Sequence, residues 1–392
     1  MKFQISGHES DIAIVVVGYN RIKSISRLLD SLVHAEYDAD NVPLVISIDC
    51  SGDEELYTYV RAFEWPHGDK YVNIQKQRLG LKEHIYQCGD LTRFFKAIIL
   101  FEDDIVASPV FYSYVQQVLE KYSEIDEIAE ISLYKNERNG YVGLPFYNLP
   151  DGNDVFLMQD VSTWGQCWTK KMWQSFIEWR DLHTEEDILN VDMPDLIKSW
   201  TRAWSKYFNA YVVDTDKYVL YPNVALSTNF NDAGEHGRGQ ESAVQVCLQQ
   251  EDFKYRLPEY NNLTKYDIYF NNVSIPKWSS YRGDSICFDL YGYRKQFNNK
   301  RYVLSPNVLP FEVISSWGLK MKPIELNIKY NIKGTGLYLY DTQKKSNKKK
   351  ASVFCLYNYY LDYLGPKVVA KYFLSSLRMW AKMLIVKVLK QL

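Results

Sequence analysis

Ala97-Ile98-Ile99-Leu100-Phe101-Glu102-Asp103-Asp104-Ile105-Val106 carries an unbroken apolar run into three consecutive carboxylates, after which the chain turns apolar again. Such a run predicts a strand buried in the middle of a sheet and ending in acid. Three adjacent carboxylates at a sheet edge repel one another and lose hydration, unless a divalent cation and sugar or ribose hydroxyls take up the charge. The stretch therefore points to a metal and sugar-nucleotide site. A strand that simply ends in a solvated acidic turn is the alternative.

Upstream, Ile12 to Val17 is a second β-branched run, followed by Gly18-Tyr19-Asn20-Arg21 and then by Ile25, Leu28, Leu29 and Leu32 at helical spacing. That predicts strand, turn and helix. A strand over Leu44 to Ile48 ends in Asp49-Cys50-Ser51-Gly52-Asp53, and another is expected near Tyr71 to Ile74. Strands alternating with helices, each ending in polar residues, predict a mainly parallel α/β sheet with its site at the carboxyl ends of the strands. Arg21, Asp49 and the three acids would then converge on one edge. An Asp49 carboxylate there could accept from the N3–H of a uracil, and Arg21 could contact base or phosphate. Taken singly, a turn aspartate and a surface arginine account for both.

Neither a dinucleotide glycine fingerprint nor a P-loop is present, so phosphate would be handled by metal and cationic side chains. This argues against dehydrogenases and ATPases. A nucleotidyltransferase is disfavoured for a related reason, because no glycine-rich, Lys/Arg-containing triphosphate loop follows the first strand. The six cysteines, Cys50, Cys88, Cys167, Cys247, Cys287 and Cys355, show no metal-ligand spacing and are expected to be reduced thiols. No run approaches the roughly 18 apolar residues of a membrane span, and no signal peptide is visible. The sequons at Asn262 and Asn272 are accordingly read as accidental.

The order Gly-Tyr-Asn-Arg, Ile-Asp-Cys and Phe-Glu-Asp-Asp-Ile-Val-Ala-Ser-Pro-Val-Phe-Tyr-Ser-Tyr resembles the N-acetylglucosaminyltransferase I family over about residues 10 to 240. The resemblance implies a metal-dependent, inverting GT-A glycosyltransferase fold using UDP-GlcNAc, with UDP-galactose or another UDP-hexose open. It implies nucleotide contacts at Arg21 and Asp49, donor contacts at Glu102 and Asp103, and Mn²⁺ or Mg²⁺ at Asp104. His84, in the helix before the motif, is the local candidate for a further donor contact. The chemistry of the residues agrees. A UDP leaving group gathers negative charge on its β-phosphate, which a bridging divalent ion stabilises, and one protein carboxylate suffices because waters and phosphates fill its other positions.

Past the motif, a helix is expected over Phe111 to Tyr122 and a strand over Ile128 to Leu133, leading to Asn136 in an exposed loop. The segment Asp160-Val161-Ser162-Thr163-Trp164-Gly165-Gln166-Cys167-Trp168 is Trp/Gly-rich, as donor and acceptor pockets in GT-A enzymes are, and Trp164 is assigned to the pocket. Core packing is at least an equal account of each of Trp164, Trp168 and Trp173. An inverting transferase needs a carboxylate to take the acceptor proton. The family's Trp-Asp-Asp-Trp-like element corresponds to Trp200-Thr201-Arg202-Ala203-Trp204, which holds no acid. Asp195 is the expected base, with Asp232 and Glu235 as rivals; a helix-start aspartate is the plain reading of Asp195. The missing acid keeps open a retaining transferase, or an inactive GT-A subunit that binds or assembles glycans. His236, next to Glu235, is a further candidate for metal or diphosphate.

The expected organisation is a GT-A catalytic domain over 1–240, an α+β extension over 241–343, and a basic linker with a helix over 344–392. That last segment holds eleven Lys and Arg against Asp362 alone, a net of +10 in a chain of net −2, leaving −12 elsewhere. Lys367, Lys371, Ser375, Arg378 and Lys382 form a polar stripe on a helix from Pro366 onward, and the rest of its surface is largely apolar. This predicts an interfacial helix on anionic lipid, or else one packed on its own domain or another subunit. The combined expectation is a cytoplasmic enzyme, peripheral on the inner face of the plasma membrane. It would move a sugar from a UDP-sugar to a glycan or lipid-linked oligosaccharide of a bacterial surface-polysaccharide pathway, with no nucleic-acid partner.

Overall fold

A computed structural model describes residues 11–234, 244–275, 285–297, 299–346, 355–361 and 364–389. The chain divides into two compact units, residues 1–283 with 293–296 and residues 284–292 with 297–392. The expected boundary at 240 therefore falls inside the first unit. The physical reason is that residues 265 and 266 pair with a sheet strand and carry the segment before them into that unit.

The first unit opens with three β-α steps: β1 (Ile12–Gly18), α1 (Ile22–Val33), β2 (Leu44–Ile48), α2 (Glu54–Ala62), β3 (Lys70–Ile74) and α3 (Leu81–Gly89). The acidic strand β4 (Ala97–Glu102) follows, then the short β5 (Ile105–Ala107), α4 (Phe111–Tyr122) and β6 (Ile128–Ser132). A small hairpin, β7 (Arg138–Asn139) and β8 (Leu144–Pro145), precedes β9 (Val155–Met158) and β10 (Gln166–Thr169). Four helices come next, α5 (Lys170–Leu182), α6 (Glu185–Asn190), α7 (Asp195–Lys198) and α8 (Trp204–Asp214). The unit closes with β11 (Tyr218–Pro222), β12 (Ser227–Asn229) and β13 (Lys265–Tyr266).

The fold is mixed α/β around a nine-stranded, mainly parallel sheet of order β13-β9-β11-β6-β10-β4-β1-β2-β3. β4, β1, β2 and β3 are mutually parallel, and every residue of β1 and β2 is buried, as their β-branched runs require. Helix α1 buries Ile25, Leu28, Leu29 and Leu32, the four positions that repeat at helical spacing in the sequence. β10 enters antiparallel between β4 and β6, which breaks the parallel run beside the acidic strand end.

Glu130 of β6 is fully buried and accepts bonds from Gln166 Nε2 at 2.6 Å and from Trp168 Nε1 at 3.0 Å. Burial pushes its carboxyl well above the ordinary range, against both donors, and its two bonds pin β10. Behind it Trp168, Trp173, Phe176 and Phe208 pack with their rings tilted 44° to 59° to one another, and both Trp168 and Trp173 are buried core residues.

The second unit is a four-stranded sheet of order β14-β15-β17-β16, from β14 (Ile286–Phe288), β15 (Tyr302–Ser305), β16 (Phe311–Gly318) and β17 (Gly336–Lys345). Cys287, Val303, Tyr338 and Tyr340 form its core. Helices α9 (Leu326–Lys329), α10 (Cys355–Leu361) and α11 (Pro366–Leu389) complete it.

The close approach of α3 and α5 depends on Gly89, where an added Cβ would overlap the Trp173 indole. That indole is itself fixed by Nε1–H donating to Asp90 at 3.1 Å. Gly89→Ala is expected to lower stability by about 1–3 kcal/mol, measured by denaturant unfolding.

Candidate active site

The parallel register sets Val17 opposite Glu102, so the Gly18–Arg21 turn leaves β1 beside the end of β4. Arg21 stands at the N-cap of α1, where Ser, Thr, Asp or Asn is normally preferred, and makes no side-chain capping bond. Its guanidinium is committed elsewhere. Nε donates to Asp103 Oδ2 at 3.2 Å, Nη2 donates to Asp103 Oδ1, and Nη1 donates to Asp104 Oδ2 at 3.1 Å. A two-pronged fork on one carboxylate and a third bond to the next is a geometry that lysine cannot reproduce.

The electrostatics follow from crowding three acids, wholly or partly buried, against one cation. Burial pushes Glu102 up to about 8, with repulsion from Asp104 and Asp103 adding to it and Arg21 opposing. Asp103 rises to about 6 for the same first reason, although Arg21 works against the shift. Arg21 loses hydration too, yet its bonds to Asp103 and its attraction to both aspartates hold its pKa above the ordinary value. The strand end is therefore under-compensated by the protein alone, and favours whatever brings more positive charge or hydroxyl donors.

A second segment returns to this point from far along the chain. β12 pairs antiparallel with β5, Thr228 lying opposite Val106, and the Phe230 N–H donates to the Asp104 carbonyl at 2.9 Å. Asn229 Nδ2 donates to Asp104 Oδ1 at 3.3 Å. Asn231 then takes a positive φ of 51°, a conformation asparagine tolerates, and the chain turns Asp232 back toward α1. There Ser24 Oγ donates to Asp232 at 2.7 Å and Arg27 forms an ion pair with it. Partial burial acts against the charge, but the bonds from Arg27 and Ser24 hold the Asp232 carboxyl below its usual range.

These groups line one cavity of about 1230 Å³. Arg21, Asp49, His84, Glu102, Asp103, Asp104, Trp164 and Asp232 all contribute to its wall. Asp49 is nearly buried and accepts from the N–H groups of Cys50 at 2.8 Å and of Leu79 and Gly80 at 2.9 Å. It thereby holds the turn before α3, and a carboxylate with about four lone-pair sites retains room for one more donor. His84 is buried with Nε2 at 2.7 Å from Ser47 Oγ. Trp164 is half-buried and meets Tyr134 edge-on. Gly165 follows at φ 98°, where a Cβ would press on Ser227 Oγ at 2.7 Å, so glycine is needed for this strap to sit against β12.

Asp195 requires a correction. Ser199, one turn later, lines the cavity, whereas Asp195 does not. It opens the one-turn α7 on the surface, and its carboxylate pairs with Lys295 at 2.6 Å, which holds it below the usual carboxylate range. The turn does align the two, the Ser199 N–H donating to the Asp195 carbonyl at 3.0 Å, but the Asp195 carboxylate is taken up by Lys295. Glu235 and His236 lie outside the described residues. Asn136, expected in an open loop, is half-buried and donates to Asp160 at 3.2 Å.

Sequence reasoning missed Arg78, Thr163, Trp200 and Asn229 in the cavity wall. Arg78 lies over the Tyr19 ring at 4.8 Å, and Thr163 is beside Glu102, where it works against the upward shift of that carboxyl. Trp200 carried a signal, since it stands in the element compared with the family's Trp-rich motif. Asn229 carried none, because its role depends on the β12–β5 pairing.

Among the described residues no group of three or more His, Cys, Asp and Glu is arranged to hold a metal. The donor set still fits an ion of the Mg²⁺ or Mn²⁺ type, which takes one or two carboxylates and completes its shell with water and phosphate. Asp104 is the fitting ligand: its carboxylate is partly exposed, lines the cavity, and accepts from Arg21 Nη1 and Asn229 Nδ2.

No family model and no curated protein sequence matches the chain. Among solved structures, it is similar to S. aureus TarS 1–349, at 14% identity and a TM-score of 0.35 over 55% of this chain and 59% of that one. The same protein in complex with UDP-GlcNAc gives 13% and 0.37 over 58% and 60%. A mannosyltransferase from Pyrobaculum calidifontis in complex with GDP-Man and Mn²⁺ gives 11% and 0.31 over 46% and 50%. The chain thus spans about three fifths or less of the length of these structures.

His84 yields a pH test of this wall. Burial lowers it to about 4, with Asp49 opposing, so it is neutral in the fold, while the unfolded chain takes up its proton near 6.5. Its contribution is present above pH 6.5 and is lost as pH falls toward 4. Denaturant unfolding of His84→Gln at stepped pH is expected to show a loss on acidification smaller by about 2–3 kcal/mol than that of the parent chain.

Proposed function

We propose that this chain is a metal-dependent glycosyltransferase that moves a hexose or N-acetylhexosamine, UDP-GlcNAc being the favoured donor, onto a glycan or lipid-linked oligosaccharide. One observation carries this reading: Glu102, Asp103 and Asp104 meet Arg21 and Asp49 in a single cavity roomy enough for a sugar nucleotide. The family resemblance of the motifs around Arg21, Asp49 and Glu102-Asp103-Asp104 supports it independently.

Each residue has a distinct task in that reading. Asp49 takes the uracil N3–H on a carboxylate already fixed by three backbone donors. Asp103 and Glu102 accept from ribose and sugar hydroxyls, which relieves their crowding. Asp104 holds the divalent ion, whose contribution when bound is to stabilise the charge that develops on the departing diphosphate. Arg21 orients Asp103 and Asp104 before substrate arrives, so little reorganisation is left for the reacting state. Trp164 and Trp200 present ring faces and edges to the apolar side of a sugar.

Inversion requires a proton acceptor, and Asp232 is the described cavity acid left without a donor-binding or metal task. A carboxylate held on Arg27 stays ionised, as a base must, and receives the acceptor proton as the hydroxyl attacks. Asp232→Asn is expected to cut turnover about 10²–10⁴-fold while UDP binding persists. NMR of the product anomer separates inversion from retention, and a retained configuration would remove Asp232 from this role.

Calorimetry with UDP and UDP-GlcNAc, with and without Mn²⁺, tests the reading as a whole. Binding is expected to strengthen with the metal, and Asp104→Ala to weaken the metal-dependent part by more than about a hundredfold, beyond what loss of an outer-shell partner costs. Absence of metal-dependent UDP binding by the intact chain would overturn it. Metal-dependent binding without transfer or hydrolysis would instead mark a glycan-assembly subunit.

A further inference from the structure

Helix α11 runs for 24 residues, about 36 Å, with none of its described side chains from 366 to 381 buried. Large apolar groups are among the exposed ones: Tyr372 at 72%, Phe373 at 61%, Trp380 at 58%, Val369 at 49% and Leu377 at 43%. Val369, Phe373, Leu377 and Trp380 recur at intervals of four, four and three, and so lie along one face. Lys367, Lys371, Ser375 and Arg378 recur at the same intervals on the opposite side. No acid occurs anywhere in the helix.

Those two stripes restrict what can cover the helix. A partner must take up aromatic and aliphatic side chains and, along the edges of the same contact, meet cations with negative charge. A second copy of the helix brings five more Lys and Arg and no acid, so it satisfies the first demand and opposes the second. A nucleic acid does the reverse. Among the described residues no helix is long and apolar enough to cross a membrane, which leaves a helix lying along a surface. Tyr372 and Trp380 suit that depth, having an apolar ring and one polar atom.

We propose that α11 binds the chain to an anionic lipid surface, its apolar face set among the acyl chains and Lys367, Lys371 and Arg378 at the headgroups. Unbuffered exposure of this many large side chains is what lipid removes. The proposal stands apart from the sugar-transfer chemistry, since it uses no residue of the cavity.

The test is flotation of the full chain with phosphatidylcholine vesicles, with and without phosphatidylglycerol, at low and high salt. The chain is expected to float with the anionic vesicles, less so at high salt, and not with phosphatidylcholine alone. Lys367→Glu, Lys371→Glu and Arg378→Glu together are expected to weaken the partition by about a hundredfold or more. Phe373→Asp with Trp380→Asp is expected to abolish it, with Trp380→Ala as a milder second variant and thermal unfolding to verify the fold of each. Failure of the intact chain to float with anionic vesicles overturns the proposal, as does undiminished flotation of the folded variants. Self-association that these substitutions dissolve, without vesicle binding, assigns the helix to a second copy and overturns it equally.

Discussion

Three carboxylates cannot sit side by side at the end of a buried strand unless something answers their charge, and in this protein the described residues place Arg21 against two of them. Its fork on Asp103 and further bond to Asp104 decide much around them. Arg21 must leave β1 at the level of Glu102, which the parallel β1–β4 register provides. It must also forgo the capping task of its position in α1. Even so the compensation is partial: Glu102 remains pushed up to about 8 by burial and by its neighbours. Positive charge or hydroxyl donors brought to this strand end would relieve its crowding.

The remainder of the cavity is set by strands that depart from the parallel pattern. β10 enters antiparallel beside β4 and brings the Trp164–Gly165 turn over the acids, while the buried Glu130 fixes its start through Gln166 and Trp168. β12 crosses back to β5 and delivers Asn229 and Asp232. Such long-range pairings cost more chain entropy to form than the β1–α1–β2 steps, and they complete the wall of the cavity.

Much of the sheet was legible because burial on both faces leaves a plain trace. Ile12 to Val17, Leu44 to Ile48 and Ala97 to Phe101 are continuous apolar runs, and each is a strand at nearly those bounds. Residues 244–275 were not legible as part of the first unit. The two-residue β13 that ties them to β9 has too short a pattern to announce itself. Asp195 misled because the helical turn does relate it to Ser199, yet only Ser199 lines the cavity while the Asp195 carboxylate pairs with Lys295. Trp164, Trp168 and Trp173 are one residue type in one segment, yet the first lines the cavity and the other two are core, a difference composition cannot express.

By itself, then, the amino-acid order determined which strands are buried, that they end in Arg21, Asp49 and Glu102-Asp103-Asp104, and that the last helix is basic along one stripe and apolar along another. These are local properties, written in period and in residue type. Only the tertiary structure decided that Asp232 returns to the acids while Asp195 pairs with Lys295 at the surface, and that among the described residues the apolar stripe of α11 is exposed. Those outcomes rest on contacts between residues a hundred or more positions apart, or on which described residues pack against the helix, and no periodicity encodes either.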